Sequence, residues 1–128
     1  MRLLGTNRPR EVWENPVDEP IGDIEAAHRI RDICRAAAET AAKVASSAGK
    51  PGTRKKKAEA ERYQRAARAA MEIAMKINDD LLRDSAVRHI VALCLRANDL
   101  RTAQTLFAAI QASSIREDAM QEYPVLRQ

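Results

Sequence analysis

The sequence predicts an all-α fold in which a long N-terminal helical hairpin is followed by short helices arranged as αα-hairpin repeats, about five helices in total. Apolar residues recur at helical spacing through most of the chain. Alanine supplies much of the 45% hydrophobic content and aromatic residues make up only 3%, so the interior must be built from closely packed helices. An internal repeat is the third observation that favours this fold.

The repeat covers residues 66–119 and has a period of 33 residues. Shifting the chain by that length superimposes residues of the same kind, which is typical of stacked helix pairs. The matched pairs are Ala70 with Ala103, Ile73 with Leu106, Ile77 with Ile110, Leu82 with Ile115, Arg83 with Arg116, Asp84 with Glu117 and Ala86 with Ala119.

Size and composition indicate one domain with a modest core for the 128 residues. No apolar run approaches the roughly 20 residues of a membrane-spanning helix, and no apolar segment follows the N-terminal arginines as it would in a signal peptide. We therefore expect a cytoplasmic protein with no membrane partner. Cys34 and Cys94 each lie on an apolar helical stripe, which favours small buried thiols over a disulfide or a metal site.

Residues 1–17 are predicted to form an extended N-terminal arm, because Gly5, Pro9 and Pro16 interrupt any periodic pattern. The only tryptophan of the chain, Trp13, lies in this arm. It has two interpretations. It could dock on a partner, since tryptophan is enriched at interface hot spots, or it could fold back onto the helices of its own chain.

A single all-α domain is predicted for residues 18–124, beginning with a long hairpin over residues 18–77. The first helix should begin between Asp18 and Asp23, where acidic residues favour the positive end of the helix dipole. It should end at the Ser-, Gly- and Pro-containing segment 46–52. Thr53 can cap a second helix that runs to about Ile77.

The repeat helices occupy residues 66–124, with residues 125–128 as a short tail. Asp79 is expected to cap the third helix, and the turn Asn98-Asp99 introduces the fourth. Ser114 and Glu117 have the spacing of a capping box at the start of the last helix, which Pro124 should close.

The region from residue 66 to 119 resembles a degenerate tetratricopeptide-type repeat. Ile90, the turn Asn98-Asp99, Ala103 and Phe107 match, in register, the leucine-like position, the turn, the small residue and the aromatic residue of that family. The sequence departs from the family at four positions, where tryptophan, glycine, tyrosine and proline are usual. The resemblance implies a scaffold that binds a peptide or a helix in a concave groove. The departing residues are Val87, Val91, Cys94 and Ile115.

No catalytic, cofactor-binding or metal-binding constellation is found in the sequence, and we therefore expect a protein that is not an enzyme. His28 and His89 lack the converging ligands or nucleophilic partners that a metal or catalytic site needs. The acid pairs Asp79-Asp80 and Glu117-Asp118 lie at predicted helix starts, where capping explains them. No glycine-rich, phosphate-binding loop is present.

The segment 50–68 contains eight basic residues and only two acidic ones, in a chain whose net charge is +4. It could bind the backbone of a nucleic acid, which would make the affinity strongly salt-dependent. It could also be a solvated hairpin tip, or it could dock on the acidic stretch between Glu11 and Glu25. The candidate nucleic-acid-binding residues are Arg54, Lys55, Lys56, Lys57, Arg62, Arg65 and Arg68.

The leading functional hypothesis is a non-enzymatic helical adaptor or scaffold that binds a protein partner or a second copy of itself, because the repeat is too short to bury a continuous core alone. The alternative is a small helical accessory subunit of a nucleoprotein complex that uses the basic segment. A secretion chaperone or secreted effector is a third interpretation that no residue requires. The residues predicted to contact a protein partner are Trp13, Leu106, Phe107, Ile110 and Ile115.

Overall fold

The computed structural model describes residues 10–15, 21–47 and 52–127, and within these ranges the chain is all-helical and contains no strand. This confirms the predicted all-α fold and its five helices. The helices are α1 (Asp23–Ser46), α2 (Arg54–Ala74), α3 (Asp80–Arg96), α4 (Leu100–Ala108) and α5 (Ser113–Glu122), with 3-10 turns at Val12–Glu14 and Pro124–Arg127.

Three of the predicted helix caps are formed. The backbone amide of Lys56 donates to the Thr53 hydroxyl at 3.2 Å, and the amide of Leu82 donates to Asp79 at 2.8 Å. Asp99 caps α4 in the same way, by accepting a hydrogen bond from the amide of Thr102. Each cap satisfies a backbone donor that the first turn of a helix leaves free.

The bounds of three elements differ from the sequence-based prediction. The second helix ends at Ala74 and not at Ile77, because the amides of residues 76 and 77 bond three residues back and tighten the chain into a turn. The last helix begins at Ser113, one residue before the predicted capping box, and has no side-chain cap of its own. Residues 124–127 form a 3-10 turn and not a trailing tail, because Leu126 is buried in the core.

Helix α3 lies at the centre of the fold and packs against each of the other four helices. Helix α1 packs along both α2 and α3. Alanines are fully buried on α1 at Ala37 and Ala41, and on α2 at Ala66 and Ala70. These small side chains allow close helix approach, as the alanine-rich composition predicts. The largest fully buried side chains are Ile30, Ile33, Ile90, Val91, Cys94 and Ile110.

Among the described residues, the α1–α2 hairpin extends past the end of α3. Arg96 Nε donates to the carbonyl of Ala38 at 3.1 Å, which places the end of α3 beside the middle of α1. Helix α1 continues from Ala38 to Ser46, roughly 12 Å further at 1.5 Å per residue. We call residues 39–46 and 54–62 the hairpin projection, and its tip carries the basic residues at the start of α2.

Equivalent hydrogen bonds hold the turn between α2 and α3 and the turn between α4 and α5. Arg83 Nη1 donates to the carbonyl of Ile77 at 3.2 Å, and Arg116 Nη1 donates to the carbonyl of Ile110 at 3.0 Å. Both isoleucines are buried. These are two of the residue pairs that the 33-residue shift aligns, and we call each of these two turns a joint.

A carboxylate from another helix also holds each joint in place. Asp23, at the start of α1, accepts hydrogen bonds from the two backbone amides that precede α3, at 3.0 and 2.9 Å. Asp84, on α3, does the same for the two amides that precede α5, at 3.1 and 2.9 Å. The Asp84 carboxylate thus takes the place of the predicted capping box. An acceptor near a helix start satisfies free donors and interacts favourably with the helix dipole.

Residues 10–15 do not form an extended arm. They fold into a 3-10 turn that packs on α1 and α2, and Trp13 is 6% exposed. Trp13 therefore folds back onto its own helices, which is the second of its two interpretations. Residues 1–9 and 16–20, the remainder of the predicted arm and the chain up to Pro20, lie outside the described residues. In the described ranges, no helix combines the length and the apolar character needed to cross a lipid bilayer.

Candidate protein-binding grooves

Three of the five residues predicted to contact a partner lie in the core of the chain. Trp13 is buried, as are Phe107 at 5% exposure and Ile110 at 2%. Phe107 is covered because α4 packs on α3 and because the Arg116 guanidinium lies 4.3 Å from the centre of its ring. The predicted exposed apolar face is therefore not formed by these residues. Leu106 and Ile115 are half-buried and keep part of their surface accessible.

Leu106 lies in a groove between α2 and α4, which we call the α2–α4 groove. The groove has a volume of about 300 Å³. Its apolar side chains, Ala67, Met71 and Leu106, are half-buried. Its polar rim includes Arg68, which belongs to the basic segment and is exposed. The structure thus brings together one residue predicted to bind protein and one predicted to bind nucleic acid.

A buried hydrogen bond closes one end of the α2–α4 groove. The hydroxyl of Tyr63 donates to Asp99 Oδ2 at 2.7 Å, while Asp99 Oδ1 accepts from the amide of Thr102. The pKa of Tyr63 is raised by burial and then by its neighbours Cys94 and Asp99. The phenol therefore stays protonated as a donor, and both oxygens of the carboxylate are used inside the fold.

The basic residues at the tip of the hairpin projection are open to solvent. Arg54, Lys55 and Lys57 are exposed, and none forms an ion pair with another described residue. Lys56 is half-buried. Further along α2, Arg65 and Arg68 are exposed and likewise have no carboxylate partner in the described part of the chain. Five of the seven predicted basic residues are therefore exposed.

The seventh basic residue, Arg62, is engaged within the fold. Its guanidinium pairs with Glu11 at 2.7 Å and with Glu59 at 3.1 Å, and it lies 5.9 Å from the centre of the Trp13 ring. Arg62 thus fastens the N-terminal turn to α2 through ionic and cation–π contacts. One residue of the basic segment does dock on the acidic stretch, as one of the three interpretations expected.

A second groove, between α1 and α3, contains residues that the sequence interpretation missed. This α1–α3 groove has a volume of about 440 Å³. Helix α1 contributes Arg31 and Arg35, and helix α3 contributes His89 and Arg96. Spacings of four and seven residues place each pair on one face of its helix. That pattern is visible in the sequence, but the packing of α1 on α3, between residues far apart in the chain, is not.

The α1–α3 groove is strongly cationic. Within the described residues, neither Arg31 nor Arg35 has a carboxylate partner. The pKa of His89 is lowered by partial burial and then by the positive charges of Arg31 and Arg88, which favours the neutral form of its imidazole. Arg88 itself pairs with Glu122 at 2.7 Å.

The two thiols of the chain are shielded. Burial, followed by the charge of Cys94, raises the pKa of Cys34 to about 12, and burial raises the pKa of Cys94 to about 11. Both side chains are free thiols that stay protonated at neutral pH. In the described ranges, the acidic, histidine and cysteine side chains form no group of three or more that could hold a metal ion.

Comparisons of the chain with protein-family models, with curated proteins and with solved structures found no match. The resemblance to tetratricopeptide repeats therefore stays a prediction from the residues that suggest it. The two grooves and the basic tip are the surfaces from which a function can be inferred.

Proposed function

We propose that this chain is a non-enzymatic helical adaptor that binds an amphipathic segment of a protein partner in the α2–α4 groove. The observation that supports the proposal is the apolar strip formed by Ala67, Met71 and Leu106 between α2 and α4. The strip lies beside Arg68, which has no carboxylate partner among the described residues. The proposal assigns no catalytic residue and no cofactor, and it places the protein in the cytoplasm.

The groove has the size and chemistry of a peptide-binding surface. A volume of about 300 Å³ accommodates one or two large apolar side chains. Covering the half-buried Met71 and Leu106 removes apolar surface from water, at about 25 cal/mol per Å². Arg68 would pair with a carboxylate next to those side chains. Because both walls are helices, little conformational entropy is lost on binding.

The structure offers a matched pair of methionines for the test. Met71 lies in the groove, whereas Met75, one turn later on the same chain, is 75% exposed and outside it. Peptides selected from a displayed random library on the wild-type protein should carry apolar residues next to an acid. Fluorescence anisotropy with the labelled peptide should show at least tenfold weaker binding to Met71→Glu and unchanged binding to Met75→Glu.

Two outcomes would contradict this assignment. One is equal peptide affinity for the two variants. The other is a selected consensus that lacks apolar residues. Circular dichroism and a thermal melt of each variant show that the fold is kept, so a loss of binding cannot be assigned to unfolding.

A second copy of the chain could be the partner, and the same variants test it. If self-association covers the groove, light scattering after gel filtration should give the mass of an oligomer for the wild type and of a monomer for Met71→Glu. A monomeric wild type would leave a different protein as the partner.

The second candidate function is an accessory subunit of a nucleoprotein complex, which the position of the basic tip favours. Arg54, Lys55 and Lys57 extend into solvent on the hairpin projection and have no carboxylate partner among the described residues. Phosphate contacts from such side chains release counterions, so affinity would fall steeply as salt rises.

Neutralising Lys55, Lys56 and Lys57 together tests this second function. The triple alanine variant should bind a labelled single-stranded or double-stranded oligonucleotide more weakly and with a flatter salt dependence than the wild type. Arg31→Ala combined with Arg35→Ala removes two cations elsewhere and is the control. Absence of retention on DNA and RNA columns at low salt would exclude the function.

A further inference from the structure

We propose that the α1–α3 groove is a separate binding site for an extended, acidic peptide segment in which two carboxylates lie about three residues apart. The site shares no residue with the α2–α4 groove. Its ligand is a peptide whose main chain lies between the two helices and whose acidic side chains contact the arginines. No large apolar side chain of the peptide is required.

The register of the two helices fixes the length of the site. The start of α1 lies beside the start of α3, through the hydrogen bonds of Asp23, and the middle of α1 lies beside the end of α3, through Arg96 and Ala38. The helices are therefore parallel. Arg31 lies close enough to His89 to lower its pKa, and the seven residues from Arg31 to Ala38 span roughly 10 Å.

Arginine side chains line the α1–α3 groove from one end to the other. Arg31 lies at one end, Arg35 follows one turn later, and Arg96 lies at the other end. None of the residues that line the groove is acidic. The nearby carboxylate of Glu122 pairs with Arg88, and Glu39 pairs with Lys43, while Asp32 is exposed outside the lining.

The walls between the cations are small or apolar. Ala38 on α1 and Ala92 on α3 face the groove, together with Cys34 and Leu93. Small side chains let a peptide backbone approach closely, and the apolar surroundings strengthen each charge–charge contact relative to water. Arginine also binds a carboxylate through two parallel hydrogen bonds, which gives geometric specificity.

The length of the groove sets the spacing of the acids in the ligand. In an extended peptide each residue advances the chain by about 3.3 Å, so a distance of roughly 10 Å separates residues three positions apart. The site is too short for more than a few phosphates of a nucleic acid. Among the described residues of its lining, only Tyr123 and His89 are aromatic, which gives little surface for base stacking.

The experiment uses a fluorescein-labelled synthetic peptide with two glutamates three positions apart in an otherwise neutral sequence, and fluorescence anisotropy at low salt. Arg31→Ala combined with Arg35→Ala should weaken binding at least tenfold. Arg54→Ala combined with Lys55→Ala removes the same charge from the basic tip and should change the affinity less than twofold. The four side chains are exposed, so the folds of both variants should be unchanged.

Further peptides, an oligonucleotide and a groove variant distinguish this site from the other surfaces. A peptide with glutamines in place of the glutamates should not bind, and one with adjacent glutamates should bind more weakly. Equal weakening by the two double variants, or tighter binding of an oligonucleotide with the same charge through Arg31 and Arg35, would overturn the proposal. Met71→Glu should leave the acidic-peptide affinity unchanged, so failure of the α2–α4 groove is distinguishable from failure of this site.

Discussion

The hydroxyl of Tyr63 donates a 2.7 Å hydrogen bond to Asp99 and thereby joins α2 to the start of α4. The same carboxylate caps α4 through the amide of Thr102. One side chain therefore both closes the end of the α2–α4 groove and begins the helix that forms its second wall. A change at this contact should therefore alter both the stability of the fold and the shape of the α2–α4 groove.

Removing the two partners of this contact should have unequal effects. Tyr63→Phe deletes one hydrogen bond and should lower the free energy of unfolding by about 1 kcal/mol. Asp99→Ala deletes that bond and the helix cap, and should lower it by about 2–3 kcal/mol. Urea unfolding followed by circular dichroism measures both, and equal losses would mean that the cap contributes nothing.

Asp84 should contribute more to stability than its counterpart Asp23, although each accepts two backbone amides. Asp84 is 4% exposed, so Asp84→Ala leaves the partly buried amides of Gln111 and Ala112 without their acceptor and should cost about 2–3 kcal/mol. Asp23 lies in a more exposed position, and Asp23→Ala should cost about 1 kcal/mol because water replaces the carboxylate. Chemical denaturation of the two variants gives the comparison, and the reverse order would contradict it.

Trp13 should contribute through packing and not through its polar atom. Within the described part of the chain, its buried indole Nε1 has no hydrogen-bond acceptor. Trp13→Ala should lower the free energy of unfolding by about 3 kcal/mol, whereas Trp13→Phe keeps most of the apolar contact and loses no hydrogen bond. Thermal melts of both variants measure the difference. A phenylalanine variant as unstable as the alanine variant would mean that the indole nitrogen has an essential partner.

His89 should make the protein less stable in mild acid. Burial, Arg31 and Arg88 lower its pKa from the usual 6.5, so the unfolded state binds a proton more readily than the folded state. The free energy of unfolding should therefore decrease as the pH falls through 6.5 towards the lower folded-state value. His89→Gln should flatten this dependence, measured by urea unfolding across the pH range, and an unchanged pH dependence would contradict the assignment to His89.

Local sequence signals predicted the local structure well. Thr53, Asp79 and Asp99 cap helices where expected, because a cap depends only on residues within one turn. The joint before α5 shows the limit of such signals. Its amides are satisfied by Asp84, 27 and 28 residues away in the chain, so the capping-box spacing of Ser114 and Glu117 had no role there.

The binding surfaces were harder to predict, because exposure depends on which helices meet. Phe107 and Ile110 have the same apolar character as Leu106, yet the packing of α4 and the Arg116 side chain bury them. The cationic groove arises only when α1 and α3 lie side by side and bring together Arg31 and His89. The helical spacing of apolar residues identifies which face of each helix is buried, but not which helix packs against that face.

The two equivalent joints imply that the architecture can grow by duplication. Residues 78–110 hold one helix pair with its joint residues, and Arg83, Asp84 and Ile110 supply the contacts that the next pair needs. A tandem copy of this segment would end in a joint that matches the start of α5.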